Sequence, residues 1–120
     1  MQSKRRLKKN IEFQRVFRKG TSFANRQFVV YYTERSGMPF RIGISVSKRV
    51  GNAVTRNRIK RIVREVIREV EDDLSEEKDY VIIARKPTAN MNYQQMKSSM
   101  IHVLKRSGLL RKGNERRKRG

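Results

Sequence analysis

The chain has 120 residues and carries 31 Lys and Arg against 11 Asp and Glu, a formal net charge of +20. That length holds one domain with a modest core, and that charge demands a polyanionic partner, because such a surface repels itself until nucleic acid or an anionic membrane neutralises it. A membrane is the weaker choice, since apolar runs are short and no helix offers a broad Leu, Phe or Trp face; the absence of Cys excludes disulfides and thiolate zinc sites and fits a cytoplasmic protein.

Residues 1–9 form a basic arm with no apolar segment behind it, so it is not a secretory signal; Leu7 can pack on the neighbouring segment. A single nucleic-acid-binding domain is expected over 10–110. It begins with a short helix, N-capped by Asn10 and stopped by Gly20, with Phe13, Val16 and Phe17 on one side. Residues 26–33, RQFVVYYT, read as a strand with Phe28, Val30 and Tyr32 on one face and Val29, Tyr31 and Thr33 on the other. One aromatic face is core and the other is free to stack on a base; periodicity does not say which. A turn at Ser36, Gly37, Met38 and Pro39 leads to a strand over 40–47. Its Arg41, Gly43, Ser45 and Ser47 face is small and polar, a surface that backbone or bases could approach closely.

Residues 48–68, KRVGNAVTRNRIKRIVREVIR, organise the rest of the chain. Ile59, Ile62, Val63, Val66, Ile67 and Val70 recur at three- and four-residue steps, the apolar stripe of an amphipathic helix running from Ala53 or Thr55 to about Asp73. Its charges oppose the helix dipole. Lys48, Arg49, Arg56, Arg58, Lys60, Arg61 and Arg64 crowd the amino-terminal half, whereas Glu69, Glu71, Asp72 and Asp73 crowd the other end. Each inversion costs a few tenths to about 1 kcal/mol at low salt. Local stability therefore does not explain the order, whereas a phosphate polyanion docking at the amino end does.

Seven of the acids fall between positions 69 and 79, leaving four acids against thirty bases elsewhere. This acidic run reads as a solvated connection. Residues 80–85 come next as a near-continuous apolar strand with both faces covered, ended by Pro87. Asn90 or Asn92 caps a last helix that turns Tyr93, Met96, Met100, Val103 and Leu104 inward and stops at Gly108. Residues 111–120 contain six bases and no apolar side chain, a tail expected to be disordered until a polyanion orders it. The pattern is α+β: a two-layer sandwich of a small mixed sheet packed with helices.

Catalytic groups are scarce. His102 is the lone His and has no second His to share acid and base roles. No Gly-rich phosphate loop is present, and the acids do not suggest a converging metal cradle. No catalytic residue and no metal-binding residue is assigned, so the protein alone is not expected to be a nuclease.

Arg41, Ile42 and Gly43, followed by Lys48, Arg49, Gly51, Asn52, Ala53, Val54, Arg56, Asn57, Arg58, Lys60 and Arg61, resemble the signature of the bacterial ribonuclease P protein subunit. The similarity extends over essentially the whole chain, including Asn25 to Phe28 and Ala84 to Pro87. The resemblance implies a left-handed βαβ crossover, against the usual rule. It also implies a subunit of a ribonucleoprotein that removes the 5′ leader from precursor tRNA, with the active site and its magnesium ions belonging to the RNA partner and substrate. By position it makes Phe13, Phe17, Tyr31, Arg56, Asn57 and Lys60 leader-binding residues. Lys48, Arg49, Arg58, Arg61 and Arg64 are then left to hold the catalytic RNA or its phosphates. The alternative from composition is a structural RNA-binding protein, such as a ribosomal protein.

Overall fold

The computed structural model describes residues 5–110. Its elements run α1 (Asn10–Lys19), β1 (Thr21–Ala24), β2 (Phe28–Glu34), β3 (Arg41–Val46), α2 (Ala53–Val70), β4 (Lys78–Ala84) and α3 (Tyr93–Arg106), with 3-10 turns at Glu71–Asp73 and Lys86–Asn90. The sheet order is β1-β2-β4-β3. The β1–β2 and β2–β4 pairs are antiparallel and β3–β4 is parallel, so the fold is α+β with a mixed sheet and α2 forms the crossover of a βαβ unit. The first four residues of the basic arm expected over 1–9, and the tail expected over 111–120, lie outside the described residues.

The apolar run of β4 occupies the centre of the sheet, where both faces need cover. Tyr80, Ile82 and Ala84 point to one side, with Phe28, Val30 and Ile42, and meet Ile59, Ile62, Val63, Val66 and Ile67 of α2 and Met96, Met100, Val103 and Leu104 of α3. Each fully buried aliphatic side chain contributes about 1.5 to 3 kcal/mol of transfer free energy, so this face dominates the hydrophobic stabilisation. On the other side Val81 packs with Leu7 and Val16 under α1, and Phe13, Phe17, Tyr31 and Ile83 are only partly covered. Leu7 reaches this place because the arm runs along β3, its N–H donating to the Ile42 carbonyl at 3.0 Å.

Several local expectations change. The N-cap of α1 is Lys9, and Asn10 is the first helical residue. The Glu12 carboxylate accepts from the N–H groups of Lys8 and Lys9 at 3.3 and 3.2 Å, so a reaching acid satisfies the helix start in place of an Asn cap. Gly20 has an extended backbone, not a left-handed stop; a Cβ there would collide with the carbonyls of Val16 and Tyr32. The next strand, β1, has no clear sequence signal, because TSFA is short and carries one large apolar side chain at the sheet edge. The strand read from position 26 begins at Phe28, since Asn25 Oδ1 accepts from the N–H groups of Gln27 and Phe28 and holds a turn there.

The acidic run is a solvated connection only in part: Glu69 and Asp72 are exposed, but its last three acids hold structure. Glu77 accepts from Gly37 N at 2.7 Å and Glu76 from Phe40 N at 3.2 Å, so both acids hold the β2–β3 turn. Asp79 lies inside β4, 4% exposed. The Arg41 guanidinium binds it in a fork, Nε and Nη2 donating at 2.9 and 2.8 Å, and donates from Nη1 to Glu12 at 2.7 Å. Arg41 thereby clamps α1 to the sheet. Periodicity treats Asp79 as one more acid in a polar run; the register that puts Arg41 opposite it is a tertiary fact.

Candidate nucleic-acid interface

The small face of β3 is covered by an aromatic ring. Phe13 lies against Gly43, where any Cβ would collide with it. The expectation of an open surface at that face therefore holds only beyond Gly43. There a cleft of about 360 Å3 opens between α1 and the edge strand β3, lined by Lys8, Asn10, Phe13, Gln14 and Phe17 on one wall, by Ile44, Ser45 and Val46 on the other, and by Lys60 reaching in from α2. Phe17 is braced from behind by Tyr31, ring centroids 5.1 Å apart in an edge-to-face contact at 80°. Tyr32 points the opposite way, stacking on Phe23, which resolves the ambiguity between neighbouring tyrosines.

The α2 residues divide by face. Asn52 caps the helix by accepting from Thr55 N at 2.9 Å, fixing where its first turn points. Arg56, Lys60 and Arg64 recur every fourth residue and form one row. Arg56 donates to the Gly51 carbonyl at 2.8 Å, and Asn57 is exposed beside it; neither lines the cleft itself. Arg58 turns away, donating to the carbonyls of Ala89 and Met91 at 2.9 and 3.2 Å, so its fork ties α2 to the segment before α3. Lys48, Arg49 and Arg61 are exposed.

Arg64 is held in an unusual state. Its Nε is buried with no hydrogen-bond partner among the described residues. Burial and then repulsion from Arg6 lower its pKa from the ordinary Arg value. A guanidinium with an unused, desolvated donor beside a second cation has anion-binding capacity that the folded protein does not fill.

Of the six residues that the resemblance assigns to the leader, Phe13, Phe17 and Lys60 line this cleft, whereas Tyr31 stands behind Phe17 and Arg56 and Asn57 lie outside the lining. Asn10, Gln14, Ile44 and Val46, and Lys8 of the arm, were not singled out as cleft residues. The first two share the helical face of Phe13 and Phe17, a signal present in the spacing. Ile44 and Val46 alternate with the α1-facing side of β3 and reach the cleft because β3 is an edge strand. Among the described residues no cluster of three or more His, Asp or Glu side chains suits a metal ion, and no helix is long and apolar enough to cross a membrane.

This arrangement has close counterparts. A family model described as Ribonuclease P matches residues 1–108. A Bacillus cereus (strain B4264) protein named ribonuclease P protein component is 61% identical over 112 residues, covering 92% of this chain and 97% of that one. The solved structure of the Staphylococcus aureus RNase P protein superposes with a TM-score of 0.83 at 46% identity, over 89% of this chain and 98% of that one. The Thermotoga maritima RNase P protein gives 0.77 at 32% identity, over 84% and 96%. With the matching model spanning nearly the whole sequence, the chain belongs to the bacterial ribonuclease P protein family.

Proposed function

We propose that this chain holds the single-stranded 5′ leader of precursor tRNA in the cleft between α1 and β3, while an RNA partner carries out the cleavage. Family membership makes it the protein component of the ribonucleoprotein that processes tRNA 5′ leaders, and a ribosomal or other purely structural role is not favoured. The observation that carries the leader reading is the cleft wall itself: two partly covered Phe rings at its surface, with Lys60 opposite. Stacking on such rings accepts any base, at about 1 to 3 kcal/mol per base. That suits a subunit that must accept many leaders.

The leader distinguishes precursor from product, so binding it favours precursor over mature tRNA. Arg56, Asn57 and Lys60 are assigned to the leader side. Lys48, Arg49, Arg58, Arg61 and Arg64 are assigned to phosphates of the catalytic RNA, with the Arg58 fork already partly engaged by carbonyls. Magnesium is assigned to the RNA partner and the substrate. Cations lining the path lower phosphate repulsion and with it the magnesium needed for assembly. A cytoplasmic location is inferred from the substrate.

The test is single-turnover cleavage of a leader-bearing tRNA at low magnesium with protein alone, RNA alone, and both. Cleavage at the mature 5′ end is expected when both are present. Equal cleavage by RNA with and without the protein overturns the subunit role, and cleavage by protein alone overturns the assignment of catalysis to RNA.

A further inference from the structure

On the side of the sheet away from the leader cleft, a groove of about 800 Å3 lies between the turn at Asn25 to Gln27 and α3. It shares no lining residue with the leader cleft, whose volume is about 360 Å3. Pro87 and Met91 give it apolar surface. Along one wall Gln94, Ser98 and His102 recur at four-residue steps of α3, and all three are exposed. Their side chains have no hydrogen-bond or ionic partner among the described residues. The back wall is already built: Asn25 Nδ2 donates to the Ser99 carbonyl and Oγ at 2.9 and 3.0 Å, and Ser99 Oγ donates to Gln27 Oε1 at 2.9 Å.

The charge around the groove has one sign. Among the described residues no carboxylate lines it, and Arg26 stands exposed at its rim without a partner among them. Arg85 and Lys86 are exposed immediately before Pro87, and Arg85 donates to the Asn25 carbonyl at 3.0 Å. The walls themselves offer amides, a hydroxyl and an imidazole, a mixture of hydrogen-bond donors and acceptors. A splayed nucleotide uses every part: an apolar surface for the base plane, amides and hydroxyl for the base edge, and rim bases for the flanking phosphates.

We propose that this groove is a second RNA site that takes an unpaired nucleotide and reads its base edge through Gln94 and Ser98, with Arg26 on the adjoining phosphate. The proposal rests on the RNA-binding reading above but concerns a different stretch of RNA from the leader. That stretch lies in either the catalytic RNA or the tRNA.

The chain has no Cys, so a single Ser98→Cys substitution carries an iron chelate at one known place. The full chain so modified is assembled with ribonuclease P RNA and precursor tRNA, each RNA end-labelled in turn. Gln14→Cys, in the leader cleft, serves as the parallel probe. Radical cleavage from position 98 is expected at a discrete set of unpaired nucleotides, different from those cut from position 14, and the labelled strand that is cut identifies the source. An Arg26→Met, Gln94→Leu double variant, both at exposed positions, should lose about tenfold in affinity for that RNA while keeping its preference for leader-bearing tRNA. Cutting from position 14 but not from 98, or unchanged affinity in the double variant, overturns the second site alone. No cutting from either position overturns the leader-cleft reading as well.

Discussion

The two faces of the sheet are built on different principles. Toward α2 and α3 it is a closed apolar interior, in which Ile59, Val66, Ile67, Met96, Met100 and Val103 have no exposed surface. Toward α1 the buried apolar set is Leu7, Val16 and Val81, and the helix is secured by the ionic clamp of Arg41 between Glu12 and Asp79. The difference teaches how a small protein keeps aromatics available. Stability comes from one face, so the other can leave Phe13 and Phe17 partly uncovered, provided a directional link holds their helix in place.

The largest expected effect breaks that link. Asp79→Ala takes from Arg41 its buried, two-pronged partner, leaving the guanidinium only Glu12, and removes the carboxylate 3.6 Å from Arg35 as well; with two cations losing one buried anion, it should cost about 3 to 5 kcal/mol of stability, read as a lower urea midpoint. A cost near zero would mean that α1 is held by its apolar contacts after all. Ile67→Ala on the closed face should cost about 2 to 5 kcal/mol through lost burial and a cavity. The surviving folded fraction should keep its preference for precursor over mature tRNA, and a lost preference would deny the division between the two faces.

Phe17→Ala sharpens the comparison from the other side. It should weaken precursor binding by about 1 to 3 kcal/mol and leave mature tRNA binding unaltered in parallel titrations; an equal loss for both defeats the leader cleft. Acid should loosen the same face selectively. Burial tends to raise the Glu12 pKa, but the N–H groups of Lys9 and Lys8 together with Arg41 outweigh it, and the net shift is downward. Because the folded carboxyl titrates below the unfolded one, its contribution is complete above the unfolded value and is lost as pH falls through the folded value. Stability measured from pH ~6 to ~3 should therefore fall less steeply in Glu12→Gln than in the parent. The smallest effect is expected at Arg64, where Arg64→Met should lower the slope of log affinity for RNA against log salt by about one. An unchanged slope removes Arg64 from the phosphate contacts.

Much of the fold was legible in the sequence because it arises from periodicity. The α2 stripe, the doubly covered β4 and the inward Met96, Met100, Val103 and Leu104 of α3 each repeat a local pattern whose physical cause is burial of one face or two. β1 was not legible, since four residues with one large apolar side chain carry too little pattern. The cleft was half legible: the spacing of Phe13 and Phe17 places them on one helical face, but not what that face meets.

By itself, then, the sequence determined the need for a polyanion, the amphipathic helix with its reversed charges, and the buried central strand. Those properties live in composition and short-range spacing. Tertiary structure decided which of Tyr31 and Tyr32 backs the cleft, that Gly43 seats Phe13, that Asp79 is clamped by Arg41, and that Arg58 faces away from Arg56 and Lys60 to hold carbonyls. Each depends on strand register or helix docking, which joins residues far apart in the chain and leaves no local period to read.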